Sequence, residues 1–559
     1  MSRAAPISAP TEPSSLLPDS RTLDRARLSR DPRFDGRFFM AVTTTGIYCR
    51  PVCPAAPTPK RANIRYFPTA AAAAEAGFRP CLRCRPEAAP GTPAWLGTSA
   101  VVRRALKLIQ DGALDESSIE QFASRLGIGP RHLHRLFVHH VGASPNAVAQ
   151  TRRLHFAKRL IDQTRLTMTE IALAAGYGSL RRFNHAFSAA YGRPPRDIRR
   201  GSLAQAERHD HERSIVLRLA YRPPYDWHSL REFLAARAVP GVERVDARGY
   251  ARTIALPGSE PGSQPDAEPS TAPAMSPAII RVRPLPKSDE LELTVSGAPP
   301  AALLQISLTA RRMFDLAADP ALTAQVLGSD PVLRDLLRRR RGLRIPGVWD
   351  PFECAVRAVL GQQVSVAAAR TLAARLVARA GRPIDAAMPR QPTSAEGLTH
   401  LFPSPAALAR ADLSGLGVTG ARIAAIQTLA RAVLDGTLDF SAAAEEVVAA
   451  LKALPGIGAW TAHYIALRAL GEPDALLAAD IVLRRRAAAG GSPLTQRELE
   501  ARAEAWRPWR SYAVMHLWRA AAEASARTRP AARSRKGSFD AVVLDPAALR
   551  EIPTEGAAP

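Results

Sequence analysis

The sequence predicts a multidomain, mostly α-helical protein. It opens with a small α+β domain around clustered cysteines, continues into a tandem pair of helix-turn-helix units, and ends in a half where a mixed α/β segment precedes an all-α core. Three observations carry this reading. Four of the five cysteines, Cys49, Cys53, Cys81 and Cys84, form two close pairs. Two helical segments, starting at Ser118 and Thr167, match each other at an offset of 49. From 300 to 525 the chain is Ala-, Leu- and Arg-rich at helical spacing, after a stretch in which strand-like runs alternate with a helix.

A chain of 559 residues has room for three or four domains at roughly 150 residues each. The 46% hydrophobic content supplies ordinary cores, which excludes a wholly disordered protein. Lys plus Arg exceed Asp plus Glu by 25, and that uncompensated charge points to a polyanion, with nucleic acid as first candidate. A GC-rich genome explains the choice of Arg over Lys but not the excess itself. The first fifteen residues, MSRAAPISAPTEPSS, contain no apolar signal region, and no run of 18 apolar residues occurs, so a cytosolic protein without membrane contact is expected. Disulfides are then not the purpose of the cysteines.

The expected organisation follows composition. Residues 1–20 are Pro/Ser/Ala-rich and read as disordered, and 21–90 form a compact domain closed by the proline-rich PEAAPGTPAW. Helices with Gly-marked turns fill 95–200, and a basic bridge, 201–213, leads into strand-like Ile215–Tyr221. Strands and a helix alternate over 212–300, broken by a Pro/Ser/Gly-rich insert at 256–277 that reads as a flexible loop. The helical core spans 301–525, and 526–559 reads as a loosely ordered tail.

Cys49-x3-Cys53 and Cys81-x2-Cys84, separated by 27 residues, suit one tetrahedral four-thiolate Zn2+ site. Their surroundings, TTGIYCRPVC and GFRPCLRCRPE, resemble the N-terminal domain of the Ada methyl-phosphotriester repair proteins. That resemblance implies that Cys49 is both zinc ligand and methyl acceptor, since zinc keeps a sulfur in its nucleophilic thiolate form. Arg50, Arg79, Arg83 and Arg85 would engage the neighbouring phosphates. The second alkyltransferase motif of Ada, a cysteine between proline and histidine, does not occur in the chain, and Cys354 lies in an apolar helical pattern as a buried small side chain.

In the two repeats, a helix, a turn at Gly127 or Gly176 and a second helix ending in Phe137 or Phe187 have helix-turn-helix spacing. Phe122, Ala123 and Leu126 in one copy, and Ile171, Ala172 and Ala175 in the other, would pack each pair. With the closing YGRPPRDIR at 191–199, the tandem resembles the AraC-type DNA-binding domain. Recognition helices at about 130–138 and 180–189 would offer Arg131, His132, Arg135, Arg181, Arg182 and Asn184 to the major groove.

The stretch Leu454–Asp480 is where chemistry is expected. Leu454-Pro455-Gly456-Ile457-Gly458 is a turn before a helical pattern, and glycines there let backbone N–H groups approach a phosphate. Trp460 and Tyr464 share a helix face as an aromatic wall, and Asp480 sits in apolar LLAADIVL as either a helix cap or a buried acid. With LAYRPPYDWHSLREFLAARAVPGVE, PFECAVRAVLGQQVSVAAARTLAARL and WRPWRSYAVMHLWRA, the stretch resembles the helix-hairpin-helix DNA glycosylases of the AlkA (3-methyladenine DNA glycosylase II) type over nearly all of 212–525.

This second resemblance implies hydrolytic excision of alkylated bases from double-stranded DNA. Asp480 would stabilise the oxocarbenium-like transition state, and Trp460, Tyr464 and Trp518 would receive the extruded base. Gly456, Gly458 and the Trp460 N–H would anchor a phosphate, and a monovalent cation would bind at the hairpin. Relatives that also nick DNA carry a lysine where Trp460 stands, so lyase activity is not expected; no cysteine follows Cys354, so neither is an iron–sulfur cluster. Where the family places an apolar wedge, this chain has Gln363, between Gln362 and Val364-Ser365. Arg338–Arg341 and Arg484–Arg486 are either DNA-tracking runs or solvated faces. Combined, the resemblances imply a bacterial, nucleoid-associated repair enzyme fused to a promoter-binding regulator that contacts RNA polymerase. The alternative is a regulator whose glycosylase half is inactive.

Overall fold

The computed structural model describes residues 17–55, 59–90, 100–110, 112–202, 214–257, 275–286, 288–384, 397–488 and 490–528. The chain divides into two compact units, residues 1–208 and 209–559. Most of the expected insert, 258–274, and the tail from 529 lie outside the described residues. Two expected boundaries shift: the helix Ser20–Leu28 begins inside the N-terminal stretch read as disordered, capped by Asp19, and the last helix runs to Thr528.

In the first unit, strands β1 (Phe39–Val42), β2 (Ile47–Cys49), β3 (Ile64–Phe67) and β4 (Arg79–Pro80) form a sheet in the order β3-β1-β2-β4. β2 pairs antiparallel with β1 and parallel with β4. Phe39, Tyr48 and Phe67 pack on the alanines of the helix Ala70–Glu75, whose small side chains let it lie close against the sheet. The β2–β4 pairing fixes the cysteines. Cys49 ends β2, Cys81 follows β4, and Cys53 and Cys84 lie in the turns just beyond.

The tandem repeat is present, with a refined register. Helices Ile119–Arg125 and Met168–Ala174 both begin in capping boxes, Ser118 with Gln121 and Thr167 with Glu170, at the offset of 49. The second helices, Pro130–Val141 and Leu180–Tyr191, start 50 apart, because the second turn carries one more residue between its glycine and its cap, Ser179. Both run beyond the expected ends at 138 and 189, to Gly142 and Gly192 in left-handed caps. The expected packing residues are all buried, joined by Leu133, Phe137, Phe183 and Phe187.

The second unit opens with an antiparallel sheet in the order β5-β9-β8-β7-β6, where β5 is Ser214–Ala220, β6 Glu243–Asp246, β7 Gly249–Pro257, β8 Met275–Pro284 and β9 Glu290–Ser296. The helix Trp227–Arg237 links β5 to β6. Helices follow, interrupted by a two-residue ladder of Arg382–Pro383 with His400–Leu401, a small departure from the wholly helical expectation. The helix Pro351–Leu360 is apolar nearly all round and mostly buried. Its two charged side chains are satisfied internally. Glu353 accepts Arg252 at 2.6 Å and Arg357 at 2.8 Å, and Arg357 also bonds Glu243 at 2.9 Å. This network ties sheet to helix beside the candidate site, and removing one partner would strand a buried charge. Among the described residues no helix is long and apolar enough to cross a membrane.

Candidate active site and metal centre

The hairpin joins helices Ala444–Ala453 and Ala459–Ala469. Gly456 has φ +84°, and a Cβ there would lie 2.9 Å from the Ala425 side chain, so glycine is required by conformation and by space. Ile457 is buried and pegs the turn, while Gly456, Gly458 and Ala459 are exposed. Gly458 is the N-cap and has no side chain to occupy the first amides of the helix. The adjoining loop is fastened to this turn: Gln362 Nε2 donates to the Gly456 carbonyl at 2.9 Å and to Thr461 Oγ1 at 3.3 Å. Next to it, Gln363 is exposed at φ +55°, and Ser365 caps the following helix.

Trp460 and Tyr464 stack with ring centroids 5.3 Å apart and planes 10° from parallel. Trp518, on the helix Arg510–Thr528, stands 6.2 Å from Tyr464 at 47°. Both readings of Asp480 hold at once, and the acid is only 5% exposed. Oδ1 accepts the N–H groups of Val482 and Leu483 at 2.8 and 3.0 Å, capping the helix Ile481–Ala487. Oδ2 accepts the indole N–H of Trp460 at 3.1 Å and that of Trp518 at 3.3 Å. The three aromatic residues and Asp480 line a cavity of about 200 Å³.

The lining residues that were not singled out from sequence include Phe233, Arg237 and Arg468. Arg468 is buried and donates Nη1 to the Tyr464 hydroxyl at 2.8 Å, with its other nitrogens on the Pro346 and Gly347 carbonyls. Its guanidinium lies 4.6 Å from the Phe233 ring centre, and that of Arg237 lies 3.7 Å from it. Burial, opposed by Tyr464 and reinforced by Arg468, brings Arg237 down to about 10. The spacing Trp460, Tyr464, Arg468, four apart on one helix face, was the available signal.

In the first unit the four cysteine sulfurs lie within 4.8 Å of one another, and all four residues are buried. A tetrahedral Zn–S₄ cage has sulfurs roughly 3.8 Å apart, so the set fits the metal. Cys84 Sγ also accepts the Arg50 N–H at 3.3 Å, the kind of outer-shell bond that steadies a ligating thiolate. Two of the four arginines expected at phosphates have partners within the protein: Arg50 is held by Asp35 and by the Cys84 carbonyl, which ties it to the cage, and Arg85 pairs with Asp162 at 2.6 Å. Arg79 and Arg83 are exposed.

Arg131, His132 and Arg135, and Arg181, Arg182 and Asn184, are exposed on their helices. In the register of 50, His134 is the counterpart of Asn184 and Arg135 that of His185, which adds two exposed residues to the face. The other basic runs are partly structural: Arg340 pairs with Glu523, and Arg484 donates to the Leu494 carbonyl.

Fold and site together define a DNA glycosylase of the helix-hairpin-helix kind, joined to a zinc-binding domain and a tandem helix-turn-helix. Residues 22–87 match the metal binding domain of Ada, 122–201 a helix-turn-helix domain, 216–350 the AlkA N-terminal domain, and 356–511 the HhH-GPD superfamily of base excision DNA repair proteins. The probable bifunctional transcriptional activator/DNA repair enzyme AlkA of Mycobacterium tuberculosis is 42% identical over 497 residues, covering 88% of this chain and 95% of that protein. DNA-3-methyladenine glycosylase 2 of Escherichia coli is 35% identical over 54% of this chain and 95% of its own. The bifunctional transcriptional activator/DNA repair enzyme Ada of Escherichia coli is 33% identical over 33% of this chain and 49% of its own. The chain belongs to the family of bifunctional transcriptional activator/DNA repair enzymes of the AlkA type.

Proposed function

We propose that the second unit hydrolyses the glycosidic bond of alkylated bases, 3-methyladenine among them, in double-stranded DNA, and that the first unit accepts methyl groups from phosphotriesters and binds promoters. The observation that carries the excision reading is the Asp480 carboxylate, held by two indole N–H groups on one oxygen and two backbone N–H groups on the other, at an aromatic cavity. Four donors fix the carboxylate in place, so its charge needs no reorganisation as the oxocarbenium-like sugar develops. An electron-poor base stacks between Trp460, Tyr464 and Trp518, while the exposed amides of the Gly456–Gly458 turn hold a backbone phosphate. A monovalent cation at the turn carbonyls would add charge beside that phosphate. Of those carbonyls, that of Gly456 already accepts from Gln362. Trp460 supplies no amine, so the enzyme removes the base without cutting the strand.

In the first unit Cys49, Cys53, Cys81 and Cys84 hold zinc, which supplies a thiolate at Cys49. The Cys49 sulfur forms a bond to the methyl carbon as the carbon–oxygen bond breaks, and the electron pair leaves on the phosphate oxygen. The tandem helix-turn-helix brings this chemistry to a promoter, with RNA polymerase as the further partner. The test is release of 3-methyladenine from methylated duplex DNA by wild type and Asp480→Asn. Release by wild type alone supports excision through Asp480. Release by neither, with DNA binding intact, removes the enzyme reading for this base, and equal release by both removes Asp480 from the mechanism.

A further inference from the structure

The base slot has a polarity that the excision reading does not use. Asp480 sits at one end, bonded to Trp460. Eight residues further along the same helix, about 12 Å at 1.5 Å per residue, lies Arg468, with Tyr464 midway. A base whose sugar faces Asp480 therefore directs its remote edge toward the Tyr464 hydroxyl and the two guanidiniums.

That end is built from donors. Arg468 and Arg237 are acceptor-free side chains, and among the described residues neither has a carboxylate partner. The bonds made by Arg468 go to two main-chain carbonyls and the Tyr464 hydroxyl, and Arg237 donates to the Phe233 carbonyl. Because the Tyr464 oxygen accepts from Arg468, its own proton is left to donate. The two glutamates that line the cavity are engaged elsewhere: Glu353 and Glu243 serve Arg252 and Arg357.

We propose that Arg468, with Arg237, makes the slot selective for damaged bases that carry a carbonyl acceptor on the edge remote from the sugar, so that guanine-type lesions are favoured over adenine-type ones. This rests on the excision reading. On that edge 7-methylguanine presents its O6 carbonyl, its N7 being alkylated, whereas 3-methyladenine presents a 6-amino donor beside its N7, so the discrimination rests on oxygen against amino group at one position. A carbonyl oxygen gains a charge-assisted hydrogen bond from a guanidinium. An amino group facing the same donors leaves both sides unsatisfied beside a buried guanidinium. The π faces of Trp460 and Trp518 accept either base and do not discriminate between them.

The experiment uses the full chain and one methylated duplex preparation that contains 7-methylguanine and 3-methyladenine together. Release of the two bases is followed in the same reaction for wild type, Arg468→Met and Arg468→Lys. The expected result is that Arg468→Met lowers 7-methylguanine release about tenfold more than 3-methyladenine release, with Arg468→Lys restoring part of the difference. Because both bases are counted in one tube, the ratio does not depend on how much of a variant is folded. Equal losses for both bases overturn the assignment and leave Arg468 as a brace for its helix. A wild type that releases neither base overturns the excision reading itself, and the inference with it.

Discussion

The indole nitrogen of Trp460 lies 3.1 Å from Oδ2 of Asp480, twenty residues later in the chain. One aromatic residue therefore both walls the cavity and holds the acid. Asp480→Asn separates the two jobs of that acid. Asparagine caps helices about as well as aspartate, but its amide NH2 cannot accept the two indole N–H groups, so stability should fall by about 1–3 kcal/mol. Base release should fall by about 10²–10³, the scale on which removing one well-placed electrostatic group acts. A melting curve beside a release assay decides: a large loss of stability would mean that the capping role dominates.

Gly456→Ala tests the hairpin. Alanine at φ +84° costs roughly 1–2 kcal/mol, and the added carbon meets the Ala425 side chain at 2.9 Å. Displacing the turn also disturbs the carbonyl that receives Gln362. We expect lower stability together with weaker binding to undamaged duplex. Gly458→Ala is the contrast, because Gly458 has extended backbone and open space around it, and there the loss should be no more than about 1 kcal/mol, the cost of alanine at an N-cap.

Two buried groups in the second unit oppose each other in acid. Burial holds His516 down to about 4, so the folded state resists a proton that the unfolded chain takes up below about 6.5. Stability from this residue is complete above that value and declines as pH falls toward 4. Burial raises Asp315 to about 6 although Tyr512 and the Ile345 N–H bond it. The folded state then binds a proton before the unfolded one does, and stability rises as pH falls from about 6 toward 4. His516→Gln should flatten acid destabilisation and Asp315→Asn should steepen it, each by up to about 1.4 kcal/mol per pH unit. Denaturant midpoints at several pH values measure both slopes, and parallel slopes in all three proteins would refute the assignment.

The sequence was most legible where short-range chemistry decides the structure. Cysteine spacing, capping residues Ser118 and Thr167, and the Pro-Gly-Ile-Gly turn each act within a few residues, and the fold has the local structure expected at each. What stayed hidden depends on partners distant in sequence. The ion-pair partners of Arg50 and Arg340, which are Asp35 and Glu523, could not be read from the residues around them. Arg468 was hidden differently, inside an apolar helix where a lone charge looks like a solvated side chain. Its spacing from Tyr464 was visible, but only the fold brings Phe233 beneath it.

The tandem repeat makes the last prediction. Arg131 and Arg181 occupy the same place in helices related by an offset of 50, each exposed in the first turn. If each enters a major groove, the two read separate stretches of one site, and their effects add because no partner is shared. Arg131→Ala and Arg181→Ala should each weaken promoter binding by about 1–3 kcal/mol and relax preference at different base positions. Base release from methylated duplex should be unchanged in both. Binding-site selection with each variant provides the readout. A uniform loss across all sequences, with a shallower dependence on salt, would place both arginines on phosphates and leave the reading of bases to His132, Arg135, Arg182 and Asn184.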